Sequence, residues 1–528
     1  MMVVRQGQEY QTLRALLDGF CDELIDTGIL LNGLCLDSRD CKPGDVFMAT
    51  PGTQQHGLMY AEAAFARGAN AVVYEPLHTN ASAELQAKLA ELQRRGLPVY
   101  AVRDLRRRLG EIAARFYQNP TAHMSVTGIT GTNGKTSCAH FLASVLTSEF
   151  ARQRQAPCGV IGTLGNGLYG QLAAATHTTP DAINLQRLLA EMQAQSVTDV
   201  VMEVSSHAIH QSRISGVRFD TAVFTNLSHE HLDYHGDMRS YGETKRQLFQ
   251  QPDLRFAVIN VDDDFGRSLV GSLPEHVRVI AYSLDPQTAT ETDAQFQNNL
   301  MYLGCVYASG LQLDVKGIEF SLNTPWGEAE ISSHLLGRFN ASNLLAVASV
   351  LLLKGLALDV VASELSVLQA IPGRMQAFHE RQQPLVVVDY AHTPDALEQA
   401  LRSLKHHCEG DLYCVFGCGG DRDKSKRALM GKLADQYCQS ITLTNDNPRT
   451  EDPLDIIHDI LDGIADQQKV VIETDRLTAI RVTLAKATAK DIVLVAGKGH
   501  ENYQLIGGKR LPFSDIDTVS GLLQETAR

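Results

Sequence analysis

Short apolar runs separated by helical stretches recur along the chain, and this pattern predicts strands that alternate with helices. The first segment, residues 1–118, has apolar runs at 44–50, 69–75 and 97–102. A helical stretch at 58–67 lies between the first two runs. The second segment, residues 119–371, opens with a glycine-rich turn and continues with apolar runs at 198–204, 221–227, 255–261 and 277–283. The third segment, residues 372–528, has apolar runs at 384–390, 412–417, 440–445, 469–474 and 491–497.

Strands separated by helices favour α/β domains with mainly parallel sheets. We therefore predict an α/β protein of three domains that correspond to these segments. They are a small N-terminal α/β domain, a central domain with a mainly parallel sheet, and a C-terminal doubly wound, Rossmann-like domain. A polar stretch at 285–299, DPQTATETDAQFQNN, interrupts the pattern, and we predict a surface loop there.

The glycine-rich turn, VTGITGTNGKTS at 126–137, is typical of a phosphate-binding loop. A strand that leads into such a turn and then into a helix directs backbone N–H groups at phosphate oxygens. Lys135 can reach the outer phosphates of a nucleotide, and Thr136 can bind Mg²⁺. The spacing departs from the general pattern G-x-x-x-x-G-K-[ST], because Gly128 comes one residue early. A plain glycine-rich turn is the alternative.

Composition narrows the class of protein. Hydrophobic residues make up 44% of the chain and charged residues 20%, as in soluble globular proteins. The longest apolar run, 344–353, is about half of a membrane span, and the N-terminus lacks an apolar signal region. We therefore predict a cytoplasmic protein without membrane insertion. The net charge of −14 argues against a nucleic-acid partner, and ten cysteines without C-x-x-C pairs favour reduced thiols over disulfides or zinc.

Polar side chains at the end of an apolar run and in the segment after it are candidates for a metal site. Glu203 ends the run at 198–204, and a P-loop enzyme needs an acid near its metal at the end of a neighbouring strand. A glutamate that only caps a neighbouring group is the alternative. Residues 224–245 contain His229, His231, His235 and Lys245. Clustered histidines can bind zinc, but no cysteine or second carboxylate has suitable spacing, so a surface loop is the stronger interpretation.

Four polar segments of the third domain follow its apolar runs. They are DYAHTPD, GCGGDRDKSKR, TNDNPR and AGKGHENY, which begin at 389, 417, 444 and 496. Ligands of doubly wound sheets bind at the carboxyl ends of the strands. These segments therefore predict a ligand site in the third domain.

Six motifs occur in the order found in the Mur ligases, and the chain resembles that family over nearly its whole length. The motifs are TGTNGKT, EVSSH, TNLSHEHLDYHG, HLLGRFNASN, IPGRM and DYAHTPDAL, which begin at 130, 203, 225, 334, 371 and 389. The resemblance implies an N-terminal UDP-substrate domain, a central P-loop ATPase and a C-terminal amino-acid domain. It also implies an ATP-dependent ligase that forms a peptide bond through an acyl phosphate and releases ADP and phosphate.

The resemblance assigns roles to residues around the nucleotide. The implied ATP contacts are Thr130, Gly131, Thr132, Asn133, Gly134, Lys135, Thr136, Ser137, Asn340, Arg374 and Asp389. Thr136 and Glu203 would bind one Mg²⁺. His231, together with a carbamate formed from CO₂ on Lys245, would bind a second Mg²⁺. The implied catalytic residues are Lys135, His231, Lys245 and His392.

A second implied set of contacts is similar to the one that members of the family make with UDP-N-acetylmuramoyl dipeptide. In the first segment these residues are Leu36, Ser38, Thr53, Gln54 and Gln55. In the central segment they are His177, Thr178, Thr179, Ser205, Gln211 and Arg213. His177 departs from the family pattern, because many members have Asn before the threonine pair.

The tetrad DNPR at 446–449 indicates which amino acid is added. Its counterpart in lysine-adding relatives lacks the arginine. Meso-diaminopimelate differs from lysine by a second carboxylate, which an arginine can bind in bidentate fashion. The implied diaminopimelate contacts are Arg422, Asp446, Asn447, Pro448, Arg449, Gly497 and Glu501.

We therefore expect a monomeric enzyme of bacterial peptidoglycan synthesis that adds meso-diaminopimelate to UDP-N-acetylmuramoyl-L-alanyl-D-glutamate. A lysine-adding ligase and a folylpolyglutamate synthetase-like ligase are alternatives in the same class, and the latter lacks the N-terminal UDP domain. A P-loop regulatory switch belongs to a different class. It would need a guanine-reading N-K-x-D tetrad, which the sequence lacks.

Overall fold

The computed structural model describes residues 11–526 except 24, 27, 53–54, 77–82 and 153–155. Three larger sheets organise this part of the chain, with four, eleven and six strands, and each lies within one of the three predicted segments. The bounds of the domains, 1–118, 119–371 and 372–528, stay a prediction. Within the described ranges, no helix has both the length and the apolar character needed to span a membrane.

The N-terminal segment contains a small parallel sheet. Its elements are β1 (Gln11–Thr12), α1 (Leu13–Leu17), β2 (Leu30–Leu31), β3 (Gly33–Cys35), β4 (Asp45–Ala49), α2 (Ala61–Ala66), β5 (Ala71–Tyr74), α3 (Ala83–Arg94), β6 (Val99–Ala101) and α4 (Leu105–Phe116). Strands β3 to β6 pair in parallel in chain order. The three predicted strands are confirmed, and the helical stretch at 58–67 is a 3₁₀ turn followed by α2.

The central segment contains the largest sheet. Its elements are β7 (Ser125–Thr130), α5 (Lys135–Arg152), β8 (Gly159–Gly162), β9 (Gly165–Leu168), β10 (Gln171–Ala173), α6 (Ala182–Ala194), β11 (Asp199–Glu203), α7 (Ser206–His210), β12 (Thr221–Phe224), α8 (Leu232–His235), α9 (Met238–Arg246), β13 (Phe256–Asn260), α10 (Asp264–Val270), β14 (Arg278–Ser283), α11 (Pro286–Phe296), β15 (Tyr302–Asp314), β16 (Gly317–Thr324), β17 (Gly327–Ser333), α12 (Arg338–Leu353) and α13 (Leu358–Ser366). The strand order is β10-β9-β8-β11-β7-β12-β13-β14-β15-β16-β17.

This central sheet is parallel from β8 to β15 and ends in antiparallel hairpins at both edges. Strand β7 lies between β11 and β12, so the turn that follows it is in the middle of the carboxyl edge. The apolar run at 344–353 is the second half of α12, which packs with α5 against the sheet. The mainly parallel sheet predicted for this segment is therefore confirmed.

The C-terminal segment is a doubly wound α/β unit, as predicted. Its elements are β18 (Gln376–Phe378), β19 (Leu385–Asp389), α14 (Pro394–His407), β20 (Leu412–Phe416), α15 (Ser425–Tyr437), β21 (Ser440–Leu443), α16 (Pro453–Leu461), β22 (Val470–Ile472), α17 (Arg476–Leu484), β23 (Ile492–Ala496), β24 (Tyr503–Ile506), β25 (Lys509–Pro512) and α18 (Asp515–Thr526). Its strand order is β18-β19-β23-β20-β21-β22, and all pairs except β18–β19 are parallel.

The surface loop predicted at 285–299 is wrong, because most of this stretch forms helix α11. The Asp285 side chain accepts hydrogen bonds from the backbone N–H groups of Gln287 and Thr288 at 3.3 and 3.1 Å. Pro286 occupies the first helical position, where its missing N–H has no cost. An Asp followed by a Pro therefore indicates the start of a helix here, and this signal outweighs the polarity of the stretch.

Replacing Asp285 with Ala should lower the free energy of unfolding by about 1 kcal/mol, because two helical N–H groups lose their acceptor. Denaturant unfolding followed by circular dichroism measures this change. Thr290→Ala, at an exposed position of the same helix, is the matched control and should change stability little. Equal unfolding midpoints for the Asp285 variant and the wild type would contradict the assigned cap.

The prediction of reduced thiols is also wrong for one pair, because Cys35 and Cys41 form a disulfide. They lie at the two ends of the loop after β3, with Cα atoms 5.9 Å apart. The turn between them brings the two cysteines together, which their spacing of six residues does not reveal. The other eight cysteines, all in the described ranges, are free.

Candidate active site

The glycine-rich turn has the geometry of an anion-binding loop. Strand β7 ends at Thr130 and helix α5 begins at Lys135, as predicted. Gly131 and Gly134 have φ angles of 149° and 85°, and a Cβ on Gly131 would come within 1.9 Å of the Thr225 hydroxyl. Lys135 Nζ donates to the Gly131 carbonyl at 2.9 Å, so its ammonium group lies against the loop that it follows. Burial lowers the pKa of Lys135.

Glu203 and Thr136 meet directly behind this loop. Because β11 pairs with β7, Glu203 lies beside Ile129 in the sheet. The Thr136 hydroxyl donates to one carboxylate oxygen of Glu203 at 2.8 Å, and the Thr163 N–H donates to the other at 2.7 Å. Glu203 is only 1% exposed. A hydroxyl and a carboxylate placed together are oxygen donors that suit Mg²⁺.

Lys245 is buried against the phosphate loop. Its side chain is 1% exposed, and its Nζ donates to the Gly131 carbonyl at 2.8 Å. The same nitrogen lies 4.5 Å from the centre of the Tyr241 ring. Burial, and then the charge of Lys135, hold the pKa of Lys245 well below its usual range. This shift favours the neutral form of the amine, which is its nucleophilic form.

The histidine segment lies beside this lysine. His231 has a left-handed backbone, with φ of 57°, and its ring is 4.9 Å from that of His207 and 6.2 Å from that of Tyr241. Tyr241 is thus a common neighbour of His231 and Lys245. No three His, Cys, Asp or Glu side chains in the described part of the chain are placed to bind a metal together. The described residues therefore include no set of three such side chains placed to bind zinc among the histidines.

A cavity of about 130 Å³ lies between the phosphate loop, α12 and the start of the C-terminal segment. Predicted ATP contacts that line it are Asn133, Gly134, Ser137, Asn340, Arg374 and Asp389. Phe339, Asn343 and Gln399 also line it, although the sequence did not single them out. Asn343 donates to the Asn340 side chain at 3.0 Å. Their three-residue spacing places both side chains on one helix face, so the sequence could have identified Asn343 from Asn340.

Arg374 and Asp389 come from the C-terminal side of this cavity. The Nε of Arg374 is buried without a hydrogen-bond partner, and its guanidinium lies 4.7 Å from the centre of the Tyr390 ring. Asp389 accepts hydrogen bonds from the N–H groups of Met375 and Ala391 at 2.7 and 2.8 Å. Burial raises the pKa of Asp389, while Arg374 opposes that shift. An unpaired buried N–H is a donor that a phosphate oxygen would satisfy.

Helix α14 brings the C-terminal segment to the phosphate loop. Asp395, in its first turn, accepts hydrogen bonds from the Asn133 side chain at 3.3 Å and from the Ser228 hydroxyl at 3.4 Å. His392 lies just before this helix, with Nδ1 2.8 Å from the Tyr390 carbonyl oxygen. Burial lowers the pKa of His392. Sequence reasoning missed Asp395, because no local pattern reveals a contact between distant segments.

The central residues predicted to bind the nucleotide-sugar lie together beside Glu203. Thr179 donates to the Glu203 carbonyl at 2.8 Å, and the Ser205 hydroxyl is 3.4 Å from that of Thr179. Arg213 donates to the Thr179 carbonyl at 3.1 Å and to the Gln211 side chain at 2.6 Å. These contacts form a polar wall at the carboxyl end of β11.

The other predicted nucleotide-sugar contacts are more dispersed. Thr178 meets Thr163 at 3.1 Å between hydroxyl oxygens, whereas His177 is exposed. Leu36 and the buried Ser38 lie in the loop closed by the disulfide of the N-terminal segment. Gln55 is exposed at the turn before Gly57–Tyr60. Thr53 and Gln54 lie outside the described residues.

The residues predicted to bind the amino acid surround the carboxyl ends of β21 and β23. Asn447 donates to Glu501 at 3.0 Å. The fully buried Lys498, which sequence reasoning missed, pairs with Glu501 at 3.0 Å and lies 3.6 Å from Asp446. Burial raises the pKa of Asp446, and its Oδ1 has no hydrogen-bond partner. The same Oδ1 faces the Lys498 ammonium group at 3.6 Å, and it has capacity for a hydrogen bond from the ammonium group of a ligand.

Arg449 lies at the rim of the same cleft. Its φ of 54° is in the left-handed region, and its Nη1 donates to the Gly420 carbonyl at 2.7 Å. This bond joins the loop after β20, which also contains the exposed Arg422, to the loop after β21. Pro448 is buried just before Arg449. Gly497 has a φ of 117°, so this position also favours glycine.

A buried ion pair supports the floor of this cleft. Arg476 forms two hydrogen bonds of 2.7 Å with Asp515, and both side chains are fully buried. Arg476 also donates to the carbonyls of Asn445 and Ala496 at 3.2 and 2.9 Å. Those residues come immediately before Asp446 and Gly497. Sequence reasoning did not identify this support, because a helix that begins with an arginine normally exposes it.

The phosphate loop, its buried acid and the facing arginine define a class of ATP-dependent ligases, and family models match all three segments. Residues 31–117 match the Mur ligase family catalytic domain, residues 129–351 the Mur ligase middle domain, and residues 373–499 the Mur ligase glutamate ligase domain. The chain therefore belongs to the Mur ligase family, whose members are amide-bond-forming ligases that use ATP with Mg²⁺.

Particular relatives within this family are similar along almost the whole chain. The UDP-N-acetylmuramoyl-L-alanyl-D-glutamate--2,6-diaminopimelate ligase of Coxiella burnetii is 46% identical over 95% of this chain and 97% of its own. The enzyme of the same name from Alkalilimnicola ehrlichii is 47% identical over 97% of this chain and 99% of its own. A solved structure of a ligase with that name has a TM-score of 0.71 and 35% identity, and covers 98% of this chain and 100% of its own.

Proposed function

We propose that this chain adds meso-diaminopimelate to UDP-N-acetylmuramoyl-L-alanyl-D-glutamate, a cytoplasmic step of bacterial peptidoglycan synthesis. The names of the relatives support both substrates. The observation that carries the proposal is the cleft around residues 446–449. It offers a carboxylate oxygen of Asp446 that accepts no hydrogen bond and a guanidinium on Arg449, which are partners for an ammonium group and a carboxylate.

The proposed metal ligands are the oxygen donors Thr136 and Glu203 for one Mg²⁺, and His231 with carbamylated Lys245 for a second. The lowered pKa of Lys245 favours reaction with CO₂, since only an unprotonated amine has the lone pair for that bond. Carbamylation would place an anion where the unmodified side chain is an amine. When bound, Mg²⁺ would offset charge on the transferring phosphoryl group.

The protein's own groups bind and orient the reactants. Asn340, Arg374 and Asp389 line the cavity beside the phosphate loop. In the proposed complex, Asn340 binds the adenine, Asp389 binds the ribose, and Arg374 and Lys135 bind the terminal phosphates. The γ-phosphoryl group transfers to the D-glutamate carboxylate, and the amine of diaminopimelate then attacks the acyl phosphate near His392. Holding the amine and the acyl phosphate together supplies proximity, and excluding water prevents hydrolysis.

In the proposed enzyme, each of the three domains binds a different substrate. The domain at 1–118 binds the UDP group with Leu36, Ser38 and residues 53–55, the domain at 119–371 binds ATP, and the domain at 372–528 binds the amino acid. Thr178, Thr179, Ser205, Gln211 and Arg213, with His177 at the edge, bind the muramoyl dipeptide. Arg422, Asp446, Asn447, Pro448, Arg449, Gly497 and Glu501 bind diaminopimelate. The enzyme acts as a monomer.

An amino-acid panel tests this function by phosphate release from ATP. We expect release only when both the nucleotide-sugar and meso-diaminopimelate are present, and far less release with lysine, which would leave Arg449 unpaired. Equal release with lysine would favour the lysine-adding alternative. Release that needs a folate and glutamate would favour a folylpolyglutamate synthetase, and hydrolysis that is independent of both substrates would favour a regulatory switch.

A further inference from the structure

His500 lies between the predicted phosphate clamp and the predicted amino-acid site. Its ring is 5.1 Å from that of Tyr390, and the guanidinium of Arg374 lies 4.7 Å from the centre of the same Tyr390 ring. The next residue in the chain is Glu501, a predicted diaminopimelate contact. The backbone around His500 is closely packed, because a Cβ on Gly373 would come within 2.1 Å of the backbone nitrogen of His500.

The imidazole of His500 has an uncommitted nitrogen. Its Nδ1 is buried and has no hydrogen-bond partner among the described residues. Burial, and then the charge of Arg374, lower the pKa of His500, and Glu501 only partly opposes this shift. This shift favours the neutral ring, whose free nitrogen can accept a proton.

Other candidate proton acceptors in the cleft already face a partner, and Oδ1 of Asp446 lies 3.6 Å from the Lys498 ammonium group. Glu501 accepts hydrogen bonds from Lys498 and Asn447, both at 3.0 Å. The Nδ1 of His392 is paired with the Tyr390 carbonyl at 2.8 Å. His500 differs from these groups, because its buried Nδ1 has no hydrogen-bond partner among the described residues.

The proposed reaction needs such an acceptor. The amino group of an amino acid is an ammonium ion at neutral pH, and an ammonium ion has no lone pair with which to attack an acyl phosphate. A general base that removes this proton typically contributes a factor of about 10²–10⁴ to the rate.

We propose that His500 is this general base, an inference that rests on the proposed function. An N–H bond of the ammonium group breaks, and its proton goes to an imidazole nitrogen. The freed lone pair forms the C–N bond at the acyl carbon, and the C–O bond to phosphate then breaks with its electron pair on the departing phosphate. The bonded nitrogen loses its second extra proton to that phosphate, so the products are a neutral amide and hydrogen phosphate. The imidazolium returns its proton to water, so the residue is ready for the next cycle.

The test compares two nucleophiles in His500→Gln. Ligation of meso-diaminopimelate, measured as kcat at saturating substrates, should fall by about a hundredfold or more. Hydroxylamine is uncharged at neutral pH and traps acyl phosphates as hydroxamates without a base. Hydroxamate formation from the nucleotide-sugar and ATP should therefore stay within about twofold of the wild type. The ligation defect should also shrink as the pH approaches the pKa of the substrate amine.

His406→Gln is the matched control, because His406 is exposed in the last turn of α14. It should change neither reaction. Equal losses of ligation and hydroxamate formation in His500→Gln would overturn the base role, as would a rise in KM for diaminopimelate with kcat unchanged. Absence of hydroxamate in the wild type would instead contradict the acyl phosphate of the proposed function, so the two failures are distinguishable.

Discussion

Lys245→Ala should reduce ligation by about 10³-fold or more while the fold stays intact. In the proposed function, the carbamate on Lys245 is the anionic partner of a metal, and removing one preorganised electrostatic group at a reaction centre costs about 10²–10³ in rate. Loss of a metal ligand adds to that cost. Among the described residues, the buried Nζ donates to the Gly131 carbonyl, which also accepts a hydrogen bond from Lys135, so truncation leaves that acceptor paired. The measurement is phosphate release at saturating substrates.

Lys432→Ala is the control for this prediction, because Lys432 is exposed on α15 and should keep wild-type activity. Circular dichroism and thermal unfolding check that the Lys245 variant is folded. Formate or acetate should restore part of its activity by filling the space of the missing carboxylate. Wild-type turnover in Lys245→Ala would refute the metal-binding role of this lysine.

The parallel strands were predictable because their apolar runs are continuous and buried. Strand β13, for example, is buried at all five positions, as expected inside a parallel sheet. The edge hairpins were missed for the opposite reason. Strand β17, GEAEISS, alternates between more and less exposed residues after its first position. Apart from its glycine it has four polar residues and only two apolar ones, so its apolar signal is weak.

The candidate site likewise has one part that the sequence predicts and another part that it does not. The phosphate loop could be located from its sequence, because the strand, the glycines and Lys135 are contiguous. Lys498 and Arg476 could not, because a fully buried cation is stable only beside partners that tertiary structure supplies. His500 lies in the predicted ligand segment AGKGHENY. Its contact with the Tyr390 ring could not be predicted, because that contact depends on the pairing of β19 with β23.

Arg449 is the residue on which the choice of amino acid depends. It follows β21 at the carboxyl edge of a doubly wound sheet, where ligands bind. Its guanidinium donates through Nη1 to the Gly420 carbonyl, and its pairing with a carboxylate of the substrate is part of the proposal. Two roles are therefore separable by experiment, namely recognition of the distal carboxylate and support of the loop after β20.

Arg449→Ala should reduce kcat/KM for meso-diaminopimelate by about thirtyfold or more, because losing one partner of a desolvated charge pair costs about 2–5 kcal/mol and 1.4 kcal/mol is tenfold. Lysine has no second carboxylate, so its kcat/KM should fall much less and the preference ratio should narrow. Both values are measured at saturating ATP and nucleotide-sugar, with Arg481→Ala, at an exposed position of α17, as the control. Equal falls for the two amino acids would mean that Arg449 only supports the loop, and the assignment of diaminopimelate would lose its main structural argument.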